Sequence, residues 1–147
     1  MAQGTALSEA EVRQLVVDWY RKLDVHAPVD EYRQLLADDG LEMRFPEATL
    51  HGFSAFRDWY ERVVRIFFDE VHELKELRIT PAGDQADVQL VVRWEARRWK
   101  PPAAKSEQLR FDAAQSWRVR RSAQSGRPVV VIYIVDSLTP LEGSVPL

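Results

Sequence analysis

The sequence predicts an α+β fold in which N-terminal helices cover one side of a mostly antiparallel sheet. Between positions 8 and 68, apolar residues recur every three or four positions, as along the buried face of a helix. From His72 to position 136 the chain is almost continuously strand-like, with turns only around 81–84, 101–102 and 125–128. A long curved sheet with its helices grouped on one side is expected to form a pocket on its concave face.

Length and composition predict one globular domain over residues 1–147, with its core at about 8–137 and an irregular tail at 138–147. The chain has 46% hydrophobic and 29% charged residues and a net charge of -3, so nucleic acid is not an expected partner. Cysteine is absent, which excludes disulfides and thiolate chemistry. No signal-peptide pattern or run of roughly 20 apolar residues is present, so we expect no membrane partner and a cytoplasmic location.

Helices account for the first part of the chain. Ser8 and Glu11 match the capping box that begins a helix, and the apolar stripe that follows runs as far as Leu23. This first helix should end between 24 and 27, because Pro28 disfavours helical geometry in the residue before it. A short second helix follows Pro28 and stops at 38–40, and a third, strongly apolar helix covers 53–68.

The strands are recognised by alternation of apolar and polar residues. Positions 41–45 alternate and should point Glu42 and Arg44 outward, although a one-residue register change would turn this pair inward. Four long strands follow, beginning at 72, 86, 106 and 128, and a bulge near Lys75 and Glu76 keeps the first of them facing the core. The basic residues between 93 and 121 are expected to form a solvated, salt-bridged sheet edge.

Several short segments occur in a characteristic order: Leu35-Leu36-Ala37-Asp38-Asp39-Gly40 before Met43-Arg44-Phe45-Pro46, Gly52 with Phe56 and Trp59-Tyr60, His72 before a Leu-rich strand, Ala86-Asp87-Val88, and Gln115-Ser116-Trp117. In this order, over about residues 8–137, the chain resembles the nuclear transport factor 2-like superfamily, and especially its SnoaL-like bacterial branch.

The resemblance implies a cystatin-like, cone-shaped barrel with three helices on a curved sheet, a pocket between sheet and helices, and homodimers packed through the sheet face. The superfamily includes ketosteroid isomerase, scytalone dehydratase, limonene epoxide hydrolase and polyketide cyclases, so the fold does not select a reaction. The isomerase pattern places its carboxylate base immediately before the proline that ends the first strand, where this chain has Phe45. The Asp-Arg-Asp set of the hydrolase has no clear counterpart.

Three residues are candidates for catalysis. His72 heads a strand beside the expected pocket, and a neutral imidazole there can take or give a proton near physiological pH. Its position in the family pattern supports this role, and a histidine hydrogen-bonded at a strand start is the alternative. Asp24 and His26 lie two apart after the first helix and would form an acid-base pair at the pocket mouth. They would otherwise cap the helix end.

Aromatic residues are the candidates for ligand binding. Tyr20 and Tyr60 have hydroxyls that would donate to a ligand carbonyl, and the other candidates would form walls around a flat apolar ligand: Trp19, Phe45, Trp94, Trp117 and Tyr133. Plain core packing is the alternative for all of them.

Other site motifs are absent from the sequence. The three histidines, at 26, 51 and 72, are too scattered to indicate a metal site, and no phosphate-binding glycine loop is present. We therefore expect neither metal nor cofactor. The sequence predicts a protein that binds a small, largely apolar molecule and acts as a lyase, isomerase or polyketide-cyclase-like enzyme. The alternative is a non-catalytic binding or assembly module.

Overall fold

The computed structural model describes residues 6–147 and confirms the α+β class. In chain order the elements are helix α1 (Glu9–Asp24), a 3-10 helix (Val29–Gln34), strands β1 (Glu42–Arg44) and β2 (Thr49–His51), helix α2 (Gly52–Ile66), and strands β3 (Phe67–Ala82), β4 (Gln85–Arg98), β5 (Glu107–Arg121) and β6 (Pro128–Pro140).

The strands form one six-stranded sheet in the order β2-β1-β6-β5-β4-β3. All neighbours are antiparallel except β1 and β6, which run parallel. The implied cone-shaped barrel is not closed, because the edge strands β2 and β3 do not pair with each other. Helix α1 packs against β3, and α2 contacts both β2 and β3. The helices therefore cover the side of the sheet that we call its inner face.

Helix α1 begins and ends as predicted. Ser8 and Glu11 form both hydrogen bonds of the capping box, and the helix ends at Asp24. Beyond it, the N–H of His26 donates to the carbonyl of Leu23 and that of Ala27 to the carbonyl of Lys22. This is a Schellman motif, whose left-handed position is usually a glycine. Here that position is His26, with φ of 50°.

Four elements differ from the prediction. The second helix is a 3-10 helix, and residues 49–51 form strand β2, which was not predicted. Helix α2 ends at Ile66, because the next residues pair with β4 as the start of β3. Strand β6 runs to Pro140, since that residue pairs with Phe111, and residues 141–147 then follow β5 through hydrogen bonds to the carbonyls of Arg110 and Gln108.

The core lies between the inner face and the helices, and its largest fully buried side chains include Trp19, Tyr32 and Phe56. The predicted bulge in β3 is confirmed, as the register shifts between Leu74 and Glu76. Glu42 and Arg44 form an ion pair with each other and flank the buried Met43, which confirms the outward register. No helix in residues 6–147 has the length and apolar character needed to cross a membrane.

The opposite face of the sheet, its outer face, carries ion pairs across neighbouring strands. Arg93 pairs with Asp112 at 2.9 Å, and Arg118 pairs with Asp87 at 3.1 Å. The basic residues of β4 and β5 thus form salt bridges as predicted, but they do not form a sheet edge, because each of these strands has a neighbour on both sides. The same face also carries three half-buried apolar side chains, Val91 on β4 and Ile132 and Ile134 on β6, with strand β5 between them.

Candidate active site

A cavity of about 600 Å³ lies between the inner face of the sheet and the helices. Its wall is largely aromatic and aliphatic, with Phe45, Trp59, Trp94 and Tyr133 among the lining residues. Such a space suits a small, flat, mainly apolar molecule. A few polar side chains interrupt this wall, and Glu70, His72 and Gln115 are the ones that bear on chemistry.

His72 is held on the cavity wall by Asp24. The Asp24 carboxylate accepts a hydrogen bond from the His72 backbone N–H at 2.8 Å, and the same oxygen lies 2.7 Å from Nδ1 of the His72 ring. Because a carboxylate only accepts, Nδ1 carries the proton and the neutral ring has its lone pair on Nε2. Within residues 6–147, Nε2 makes no hydrogen bond to the protein. His72 therefore presents an oriented base.

Tyr20 supports the same ring from the side. It stacks on His72 with the ring centres 5.3 Å apart, and its hydroxyl donates to the Gln115 carbonyl oxygen at 2.9 Å. The indole N–H of Trp117 donates to the same oxygen at 3.0 Å. Since an indole can only donate, this contact sets the orientation of the Gln115 amide. Burial raises the pKa of Tyr20 well above its ordinary value, so its hydroxyl stays protonated at neutral pH.

A second histidine-carboxylate pair lies beside the first. His26 Nε2 makes a short contact with Oε2 of Glu70, and the indole N–H of Trp94 donates to Oε1 of Glu70 at 3.0 Å. The Glu70 side chain is only 7% exposed. Asp24 and His26 were predicted to pair with each other. Instead they diverge, because the left-handed backbone at His26 turns the chain and each residue meets a different partner on β3.

The two tyrosines that were expected to donate to a ligand already donate within the protein. Tyr20 donates to Gln115, and Tyr60 donates to the Ala27 carbonyl at 2.7 Å while accepting from Tyr32 at 3.0 Å. Burial raises the pKa of Tyr60 and raises that of Tyr133 to about 12. Both line the cavity as neutral rings with protonated hydroxyls.

The remaining aromatic candidates divide between wall and core. Phe45 stacks on Trp59 at 4.0 Å between ring centres, and both line the cavity together with Trp94. Trp19 and Trp117 lie behind the wall, where they pack on each other edge to face at 6.2 Å and are 1% and 2% exposed. Their place in the core matches the packing alternative.

Glu70 and Gln115 were not selected as site residues from the sequence. Glu70 and His72 are two positions apart on β3, so their side chains are expected on the same face of the sheet. This spacing was the sequence signal that could have identified Glu70. Gln115 is a polar residue in an otherwise apolar alternation on β5, and its side chain is buried. Among residues 6–147 no three histidine or acidic side chains are grouped to hold a metal ion.

The profile of the SnoaL-like domain family matches residues 4–125. The chain belongs to the SnoaL-like family. It also shares its fold with a nuclear transport factor 2-like protein, in agreement with the superfamily that the sequence resemblance indicated. No curated protein sequence matches this SnoaL-like protein.

Solved structures share the fold of the SnoaL-like protein at low sequence identity. A hexachlorocyclohexane dehydrochlorinase from Novosphingobium barchaimii is 19% identical, with a TM-score of 0.72 and 94% of each chain covered. A nuclear transport factor 2-like protein from Salmonella enterica is 13% identical, with a TM-score of 0.71, and covers 93% of this chain and 91% of its own. A protein of unknown function from Nostoc punctiforme, described as having a cystatin-like fold, is 16% identical, with a TM-score of 0.70 and 95% and 96% coverage.

Proposed function

We propose that this SnoaL-like protein is an acid-base enzyme, a lyase or isomerase, that removes a proton from carbon in a small, largely apolar molecule. The observation that carries the proposal is the placement of His72 on the wall of an apolar cavity, with Asp24 bonded to its Nδ1 at 2.7 Å. The chain's own side chains supply the proton transfer.

Each part of the arrangement has a role in that step. The bare Nε2 of His72 accepts the proton, and the positive imidazolium that results is stabilised by the Asp24 carboxylate. Tyr20 holds the ring plane by stacking, and it is itself held by the buried Gln115. The largely aromatic wall lowers the polarity around a bound molecule, which strengthens the electrostatic interactions of that molecule.

A structural neighbour with the same fold supports this chemistry by analogy. The dehydrochlorinase is named for the loss of hydrogen chloride from an apolar ring compound, a reaction that removes a proton from carbon. At 19% identity the likeness itself extends to the fold, so the argument for this chain depends on its own His72 and Asp24.

The proposal is tested by hydrogen exchange on carbon. In D2O, the wild-type protein should accelerate exchange of the protons beside the carbonyl of 4-phenylbutan-2-one, followed by proton NMR. His72→Ala should lower the enzymatic rate by roughly 100-fold or more, because a positioned general base contributes about 10²–10⁴. Asp24→Asn should lower it less, since an amide oxygen still accepts from Nδ1 but carries no charge.

His51→Ala is the matched control, because His51 is exposed and does not line the cavity. That variant should exchange at the wild-type rate. Wild-type exchange no faster than buffer, or an undiminished rate in His72→Ala, would show that the proposed function is wrong.

The outer face of the sheet favours a second role, assembly into a homodimer. That face carries half-buried apolar side chains, Val91, Ile132 and Ile134, interspersed with ion pairs, a mixture of apolar and polar groups that protein interfaces also have. This dimer is compatible with catalysis, because the cavity opens on the other side of the sheet. A protein that forms this dimer contact but has no turnover would be the non-catalytic assembly module, which is the alternative to the enzyme.

A further inference from the structure

The pair formed by His26 and Glu70 has a layout that mirrors the pair formed by Asp24 and His72. In the pair of Asp24 and His72, the His72 side chain lines the cavity, and the Asp24 carboxylate supports it from outside the lining. In the pair of His26 and Glu70, the Glu70 side chain lines the cavity, and the His26 imidazole supports it from outside the lining. The same two segments, the end of α1 and the start of β3, supply both pairs.

Glu70 reaches the cavity because β3 contains a second bulge, between Phe68 and Val71. Phe68 pairs with Arg97 and Val71 with Glu95, so Asp69 and Glu70 both stand opposite Ala96. The extra residue allows Phe67 and Glu70 to line the cavity together although they are three apart. Bulges commonly redirect side chains beside active sites.

Backbone strain is concentrated at this pair. Within residues 6–147, His26 and Asp69 are the only non-glycine residues with positive φ, at 50° and 53°. One is a member of the pair, and the other is the residue immediately before Glu70. Non-glycine residues in this region cost conformational energy and often occur at functional sites.

A purely structural strap between α1 and β3 does not require a carboxylate at this place. Burial of a charged group costs solvation energy, and a well-packed apolar contact would hold the two segments together without that cost. Glu70 nevertheless lines an apolar cavity with a 7% exposed side chain. A carboxylate in contact with an imidazole can receive a proton from it, and a side chain on the cavity wall can pass that proton to a bound molecule.

We propose that Glu70 is a catalytic acid that protonates an oxygen leaving group, with His26 as the positioning residue that resupplies its proton. The inference rests on the proposed function and makes it more specific: the reaction is an elimination, and the substrate class is a β-hydroxy carbonyl compound. Residues two apart on a strand are separated by roughly 6.6 Å along the chain, so His72 and Glu70 can address adjacent carbons of one molecule from the same side.

In the elimination, one proton leaves carbon and another reaches the departing oxygen. His72 Nε2 takes the proton from the carbon beside the carbonyl, and the electron pair of that C–H bond becomes the new carbon-carbon π bond. The neighbouring C–O bond breaks with its electron pair on oxygen, which takes the Glu70 proton and leaves as water. His26, whose side chain is 27% exposed against 7% for Glu70, passes a proton to Glu70 and regains one from solvent. His72 releases its proton to water.

Two probes of one skeleton test the proposal. Elimination of water from 4-hydroxy-4-phenylbutan-2-one and of chloride from 4-chloro-4-phenylbutan-2-one gives the same strongly absorbing enone. Hydroxide is a poor leaving group and needs the acid, whereas chloride leaves without protonation. Rates are measured by absorbance, and the uncatalysed rate of each probe is subtracted.

Glu70→Gln is the decisive variant, because a glutamine can still accept from Trp94 and donate to a neutral His26. It should lose about 100-fold or more on the hydroxyl probe and stay within about threefold of wild type on the chloride probe. His26→Asn, which suits the left-handed backbone, should show a smaller loss with the same selectivity. His72→Ala should lose activity on both probes.

Equal losses on both probes in Glu70→Gln, or no loss on either, would overturn the role of Glu70. Wild-type turnover of the chloride probe alone would do the same. If neither probe reacts while exchange on 4-phenylbutan-2-one persists, the elimination is wrong and the proposed function stands. Absence of that exchange in the wild type would remove both.

Discussion

At the level of single residues, one carboxylate determines which nitrogen of His72 is available. Asp24 accepts from the ring at Nδ1 and from the backbone N–H of the same residue, so the ring is held by two contacts to one oxygen. Tyr20 adds a stacking contact at 5.3 Å. The proposed base is therefore oriented before a ligand binds, which would reduce the reorganisation needed during the proposed reaction.

Another residue-scale pair links α1 to the end of β5. Glu11 lies 3.0 Å from Arg121, and that hydrogen bond, with the capping contact to Ser8, lowers the Glu11 pKa from 4.5 to about 2. Because the folded pKa is below the unfolded one, this contribution to stability is complete above pH 4.5 and is lost as the pH falls towards 2.

Glu11→Gln tests this contribution. The amide can keep the capping contact but loses the charge, so we expect a loss of about 0.5–1 kcal/mol at pH 6, discounted because Glu11 is 38% exposed. The lowering of Tm relative to wild type, measured by circular dichroism, should shrink as the pH falls from 4.5 towards 2. A constant difference over that range would contradict the assignment.

At the level of elements, the site depends on two residues whose backbone lies in the left-handed region. The Schellman motif after α1 places His26 in the left-handed region. The bulge between Phe68 and Val71 in β3 does the same to Asp69. Together they bring the end of a helix against the start of a strand, with two side chains from each in contact. Both residues depart from the regular backbone geometry of the helix or the strand to which they belong or are attached.

The bulge is tested by a matched pair of substitutions at the exposed Asp69. Asp69→Gly accepts positive φ and should leave Tm nearly unchanged, because relief of strain offsets the added flexibility of the unfolded chain. Asp69→Val places a β-branched residue in this region and should cost about 1–3 kcal/mol. Thermal unfolding measures both. Equal Tm values would show that the bulge imposes no such constraint.

At the level of the whole molecule, the open sheet separates the two proposed functions. Its inner face and the helices enclose the cavity, while its outer face carries ion pairs between neighbouring strands. Val91, Ile132 and Ile134 are half-buried apolar side chains on that outer face. A second copy of the chain would cover this group without obstructing the site.

Sedimentation analysis tests the dimer. The wild type should have twice the 17.0 kDa mass of one chain, and Ile134→Glu should give a monomer, because a carboxylate would then have to lose its water at the interface. Val25→Glu is the control, since Val25 is an apolar residue, 71% exposed, at the end of α1 on the inner side of the sheet. It should remain dimeric. A monomeric wild type, or a dimeric Ile134→Glu, would contradict the proposed interface.

Local patterns in the sequence determined most of the elements. The capping box, the apolar stripes and the period-two alternation each depend on residues close in the chain, so α1, the long strands and the bulge at residues 74–76 were predictable. Short β2 and the extension of β6 were not, because each depends on pairing with a distant partner.

The site shows the same division. The sequence by itself identified His72, Asp24 and His26 as ionisable groups near a pocket, because their residue types and positions are local information. Only the tertiary structure decided their partners, joining Asp24 to His72 and His26 to Glu70 across 48 and 44 positions. The physical reason is that a left-handed residue and a bulge aim these side chains, and the resulting contacts exist only once the helix packs on the strand.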